Sequence, residues 1–235
     1  MKLRIAKLCL CLMALALLAG ALAAAAAQTS SRWTVDAVVE QMDRAAAGFR
    51  TLTADLEHSK YTDVVKDTSV ETGRIFVRRD EKMRIEILQP DLRTILRSGD
   101  TLFVFTPKIK RVEEYDLGKS RVMVDQYVLL GFGTRGEDLK KSYLLTVLGE
   151  AVFDNRKTVL LELTPKSEKI RSQISKIQMW VDQASWIPVQ QKFFETGSGD
   201  YFVFHYTNVA LNSKIGDGHF KPDWPKGVTR IKPRG

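Results

Sequence analysis

The sequence predicts a mainly β protein (α+β), an open antiparallel β-barrel of about eleven strands whose concave face is covered by an N-terminal helix and short lid helices. Three observations predict it. From Thr51 onward the apolar residues recur every second position, and runs of this period, bounded by turn formers, follow one another to residue 209. A single glycine-divided apolar stretch interrupts them, and one segment of helical period precedes them. So many strands with one apolar side curve into a sheet that encloses a space, and something must cover its concave face.

The first segment, MKLRIAKLCLCLMALALLAGALAAAAAQTS, joins a basic start (Lys2, Arg4, Lys7) to a leucine-rich run and a string of alanines. That order predicts a secretory signal peptide over 1–27, cleaved near Ala27, and leaves 28–235 as a single domain. An uncleaved anchor fits less well, because the apolar run ends in small residues without a basic stop-transfer flank. Cys9 and Cys11 are the only cysteines and both lie in this leader, so an exported mature chain of about 208 residues would depend on an ordinary core rather than on disulfides. The net charge of +8 falls to about +5 without the leader's three basic residues. That suits a solvated surface or an anionic partner, while the export signal disfavours nucleic acid.

Thr34 is placed to cap a helix whose apolar positions are Val35, Val38, Val39, Met42, Ala46 and Phe49. Strands are then expected near 51–61, 70–79, 82–89, 93–98, 101–106 and 109–116, parted by turns such as Ser98-Gly99-Asp100 and Thr106-Pro107. SRVMVDQYVLLGFGTRGEDLKKSY breaks the pattern with two short helical signals divided by Gly131, Gly133 and Gly136. Strands resume at 144–153, 157–164, 171–182, 186–195 and 200–209.

The stretch Gly73 to Gln89, GRIFVRRDEKMRIEILQ, alternates Ile75, Val77 and Arg79, then Met83, Ile85 and Ile87. In strands these positions share a face, which sets an arginine at the end of an aliphatic row. Arg78 beside it makes the register ambiguous by one residue.

Reactive chemistry is sparse. His58, His205 and His219 show no metal-ligand spacing, and no thiol accompanies them. Gly197-Ser198-Gly199 lacks the nucleophile-elbow pattern and joins two strands, as a hairpin turn does. Glu113 and Glu114 point to opposite faces of one strand, and Glu137-Asp138 suits a helix start. YFVFHY at 201–206 belongs to a core or cavity wall. No catalytic residue, metal or other cofactor is expected, and the protein is read as no enzyme. What remains is apolar surface, including adaptable methionines that suit a variable ligand shape.

The segment GRIFVRRDEKMRIEILQPDLRTILRSGDTLFVFTPKIKRVEEYDL resembles the LolA family of periplasmic outer-membrane lipoprotein carriers, with its G-x-φ-φ-V-x-R strand and its D-G-x-x-L-φ-φ-Y-x-P strand, here SGDTLFVFTP. ISKIQMWVDQASWIPVQQKFFE is similar to the family's penultimate hairpin, and HFKPDWPKGVTRI to its ending. The resemblance implies an open antiparallel barrel closed by helices around a cavity for lipoprotein acyl chains, a periplasmic address, and carriage from the inner to the outer membrane. It implies an ABC-type releasing complex at the inner membrane, an outer-membrane acceptor, transient membrane proximity and a monomer. Alternatives within the fold are a binder of another lipid or glycolipid, or a lipoprotein sensor; a lipid hydrolase would need a nucleophile and base that the sequence does not offer.

On that basis Ile75, Val77, Met83, Ile85, Ile87, Phe49 and Met179 are the expected cavity residues. Val122, Met123, Leu130 and Phe132 are the expected lid. By the resemblance, Arg79 latches the lid through backbone carbonyls, which its fork of donors can reach, with Arg78 as its rival. Asp80 stands where the family often has proline, and Asp80 or Glu81 could compete for the guanidinium.

Overall fold

The structure is a computed structural model that describes residues 32–118 and 130–233. The expected signal peptide and the lid residues Val122 and Met123 lie outside the described residues. Helix α1 (Val35–Gly48) begins where Thr34 Oγ1 accepts the Ala37 N–H at 3.2 Å, with Asp36 in the first turn, where the helix dipole favours an acid. Val38, Val39, Met42 and Ala46 form its buried stripe, and Phe49 leaves the helix in an extended conformation.

Eleven strands follow the period-two runs: β1 (Thr51–Thr62), β2 (Asp67–Arg78), β3 (Lys82–Gln89), β4 (Arg93–Ser98), β5 (Thr101–Thr106), β6 (Arg111–Asp116), β7 (Tyr143–Phe153), β8 (Arg156–Pro165), β9 (Ile174–Asp182), β10 (Pro188–Glu195) and β11 (Tyr201–Leu211). Two short helices complete the middle of the chain, α2 (Gly136–Ser142) and α3 (Glu168–Arg171). α3 takes the first residue of the strand expected at 171–182, so that β9 starts only at Ile174.

All the strands join one open sheet in the order β12-β6-β5-β4-β3-β2-β1-β11-β10-β9-β8-β7. This corrects the expected count and pairing, because a twelfth strand, β12 (Thr229–Ile231), pairs parallel with β6. Three residues among Lys, Gly and Pro carry no period to read. The helix-covered open sheet is otherwise the architecture implied by the LolA resemblance.

Cross-strand register makes the inner face continuous. Leu52 lies opposite Val77, Ile75 opposite Ile85, and Ile85 opposite Ile95, while Met179 lies opposite both Gln191 and Leu161. Two buried clusters form on it. One gathers Val38 and Met42 of α1 with Leu130, Leu139, Leu161, Met179 and Phe193; the other gathers Phe49, Leu52, Ile75, Val77, Met83 and Phe132. The outer face of β2 to β6 is covered as well, by the segment after β11. Trp224 lies 5.0 Å from Phe105, His219 meets Phe76 edge-on at 4.2 Å, and Phe220 is buried.

The cover over the inner face depends on close approach. At Gly136, the first residue of α2, a Cβ would lie 2.7 Å from the Val39 carbonyl oxygen and 2.9 Å from its Cα. Gly133, at φ +69, leaves room for the Phe49 ring, which a Cβ would meet at 2.6 Å. Gly136→Ala should therefore push α2 off α1 and destabilise the fold by roughly 1–3 kcal/mol, as overpacking does. A urea midpoint unchanged from the parent would contradict this.

Candidate functional site

Where α1 and residues 130–142 leave the inner face, a cavity of about 240 Å³ remains over β1 to β5. Met83, Ile85 and Ile87 of β3 form its floor, with Leu56 of β1, Ile95 of β4, Leu102 and Val104 of β5, and Phe204 of β11 around them. These side chains meet because alternate residues of neighbouring strands share a face in register. Ile75, Val77 and Phe49 are instead packed in the adjoining cluster, and Met179 lies in the cluster beneath α1; none of the four lines this cavity.

At one end the wall turns polar. His58 lies opposite Glu71 on one side and Phe204 on the other. Its Nδ1 is 3.2 Å from Glu71 Oε2, and its ring stacks on Phe204 with centroids 4.8 Å apart. Arg93 of β4 donates from Nη2 to both Glu71 oxygens, at 2.9 and 2.8 Å. All three side chains are about a quarter to a third exposed. An apolar chamber with polar groups at one end is the usual form of a site for an apolar ligand with a polar head.

The two arginines of the opening stretch part company. β2 ends at Arg78, whose guanidinium turns to the outer face, grips Asp80 at 2.7 and 2.8 Å and Asp217 at 2.6 Å, and lies over the Phe220 ring. Those carboxylates hold the Arg78 pKa above its ordinary value, while Arg78 holds Asp80 below the usual carboxylate range. Arg79 lies beyond the strand and is exposed. Its amide donates to the Arg50 carbonyl at 2.9 Å, and its Nη1 donates to the Ala47 carbonyl in the last turn of α1 at 3.2 Å. The helix that Arg79 touches among the described residues is thus α1. Asp80 is engaged by Arg78 and Lys82, and Glu81 lies 3.6 Å from Arg97.

Arg97, not Arg79, is the arginine within the aliphatic row. It lies opposite Met83, is fully buried, and directs Nε to the Gly99 carbonyl at 3.4 Å. The positive φ of Glu81 turns the β2–β3 loop where that carboxylate comes near it. A buried guanidinium needs such partners.

Leu130 belongs to the cluster beneath α1, and Phe132 to the one that adjoins the cavity. Phe132 stands edge-on to Tyr206 at 4.9 Å, and the Leu130 carbonyl accepts a hydrogen bond from buried Gln191 Nε2. Gln191 Oε1 in turn accepts the Tyr206 hydroxyl at 2.9 Å, and burial pushes the Tyr206 pKa well up. Gln191 and Tyr206 thus form a polar relay that ties the cover to the sheet. The signal for Gln191 was present in the sequence as an amide between Val189 and Phe193 on one face of a strand. Among the other sequence candidates, His205 Nε2 bonds to Asp154 at 2.5 Å, His219 lies between Phe76 and Phe220, and Glu113 and Glu114 pair with Arg111 and Arg230. Among the described residues, no group of three or more His, Cys, Asp or Glu is placed to hold a metal ion, and no helix is long and apolar enough to cross a membrane.

A family model described as "uncharacterized protein" matches residues 79–215. An uncharacterized protein of Methanocaldococcus jannaschii is 21% identical over 199 residues, which make up 85% of this chain and 54% of that protein, so the chain spans about half the length of this curated relative. Among solved structures, an uncharacterized conserved protein from Thermus thermophilus superposes with a TM-score of 0.56 at 8% identity, covering 86% of this chain and all of the other. MucB gives 0.50 at 13% identity, over 80% of this chain and 62% of its own. These two share the fold. A LolA superfamily protein from Nitrosomonas europaea gives a TM-score of 0.43 at 16% identity, over 81% of this chain and 98% of its own.

Replacing Gln191 by Leu would leave the Leu130 carbonyl and the Tyr206 hydroxyl buried without their partner. The expected loss is about 2–4 kcal/mol of stability, against about 1 kcal/mol for Tyr206→Phe. Faster hydrogen exchange at 130–142 should accompany the Gln191 change, and protection equal to the parent's there would contradict the relay.

Proposed function

The chain belongs to that family of uncharacterized proteins, and on this premise we propose that it is a carrier that shelters acyl chains in the cavity over β1 to β5. The observation that carries this function is the aliphatic cavity floored by Met83, Ile85 and Ile87 and walled by Leu56, Ile95, Leu102, Val104 and Phe204. Moving an acyl chain of roughly fifteen methylenes into water costs about 12 kcal/mol, at about 0.8 kcal/mol each. A carrier must offer a nearly equivalent apolar environment and then surrender the chain. Periplasmic residence, lipoprotein cargo bound for the outer membrane, an inner-membrane ABC-type releasing complex and an outer-membrane acceptor belong to this proposal, as does the lack of a catalytic step.

Ile75, Val77, Phe49 and Met179 would join the wall if α1 or residues 130–142 shifted to admit a longer chain. Arg79 holds α1 through the Ala47 carbonyl. A contact made only when the protein is closed favours release, because ligand and contact draw on opposite states.

Two outcomes test this. Ile85→Trp, which fills the floor, should abolish binding of a fluorescent acyl probe without loss of fold, and full retention of binding would remove the cavity from the mechanism. Arg79→Leu should remain folded and hold the probe more tightly, by roughly fivefold for one exposed charge-assisted contact, while handing it to acceptor vesicles more slowly; unaltered transfer would exclude Arg79 as the latch. Mass spectrometry of material co-purifying with the native protein identifies the cargo, with triacylated polypeptide favouring the lipoprotein form of the proposal and free glycolipid opposing it.

A further inference from the structure

We propose that the polar end of the cavity selects amphiphiles whose chain ends in an amide or ester carbonyl beside a hydroxyl or N–H donor, and disfavours free fatty acids. This rests on the carrier function above and names the chemical class its cavity accepts. The juxtaposition of His58, Glu71 and Arg93 with an otherwise aliphatic wall carries it.

An imidazole nitrogen that faces a carboxylate carries the ring proton, so His58 Nδ1 donates to Glu71. In the neutral ring Nε2 is then an acceptor. The stack on Phe204 and the register against Glu71 fix the plane in which that lone pair points. Arg93 spends one nitrogen, Nη2, on Glu71, and its guanidinium fork carries further N–H donors on Nε and Nη1. The wall thus carries one acceptor and a charged donor that share Glu71 as their partner. A carbonyl oxygen meets the donor, and a neighbouring hydroxyl or N–H meets the acceptor.

A fatty carboxylate fits worse, because it brings a second negative charge toward Glu71, and like charges disfavour one another. A bare hydrocarbon would bury the polar groups without partners, which is also unfavourable.

The test is calorimetric titration of the purified chain near pH 8 with N-dodecanoylethanolamine and with dodecanoic acid. The amide should bind about tenfold more tightly than the acid. Glu71→Gln, which removes the negative charge at nearly constant shape, should bring the two affinities to within about twofold, chiefly by improving the acid. Arg93→Gln should weaken the amide about tenfold and provides the second arm if Glu71→Gln does not fold. Equal or tighter binding of the acid by the parent, or a ratio unmoved in both variants, would overturn the selectivity while leaving the carrier function standing. Failure of both probes to bind, in a protein that also ignores the acyl probe blocked by Ile85→Trp, would remove the carrier function and the selectivity with it.

Discussion

The structure turns on the burial of one continuous apolar inner face by the few helical and loop residues described over it. Twelve strands in a single open sheet present inward rows from Tyr143 on β7 to Val104 on β5. Among the described residues, α1, the residues around Leu130 and Phe132, and α2 bury them. They pack over β7 to β10 and over the rows of Leu52 and Val77, and the space left over β1 to β5 is the cavity. Gln191 matters out of proportion to its size because it joins the two layers by hydrogen bonds in the buried interior, where its neighbours pack by apolar contact. Directional contacts of that kind specify one arrangement of a cover that apolar packing alone would leave adjustable.

The strands were legible because alternation is a local property. A β-branched or aromatic residue at every second position marks a half-buried strand wherever the partner lies, so eleven strands and the Thr34 cap could be read directly. Long-range pairing was not legible. The sequence places Arg79 at the end of an aliphatic row, yet the chain leaves β2 at Arg78, and the arginine that enters the row is Arg97, brought opposite Met83 by the β3–β4 pairing. His58, Glu71 and Arg93 were hidden for the same reason. Each stands among polar neighbours in its own strand, and only register across β1 to β4 gathers them beside Ile87, with Phe204 opposite His58. β12 escaped because a parallel partner six strands earlier in the chain leaves no mark on three residues.

The two faces of the sheet are held in different ways. On the outer face, Arg78 ties Asp80, Asp217 and the Ile215 carbonyl together over a buried Phe220, and Trp224 closes on Phe105. That arrangement anchors the chain's end to β2 through β6. On the inner face, the cover is tied through single carbonyls, Ala47 and Gly48 of α1, Leu130, and Lys140 of α2, which accept from Arg79, Asn212, Gln191 and Lys166.

The pairing of β1 with β11 also bears on how the protein is made. Leu52 sits opposite Leu211, so the two halves of the sheet meet only through a strand that leaves the ribosome long after its partner. Until then β1 has an unpaired edge beside the apolar rows of β2 and β3, and contacts so distant along the chain form slowly. β12 lengthens the wait, because the β6 edge is paired only by residues 229–231. Until β11 and β12 are made, β1 and β6 keep edges able to pair with other chains, and the unfinished sheet is prone to association that the completed one avoids.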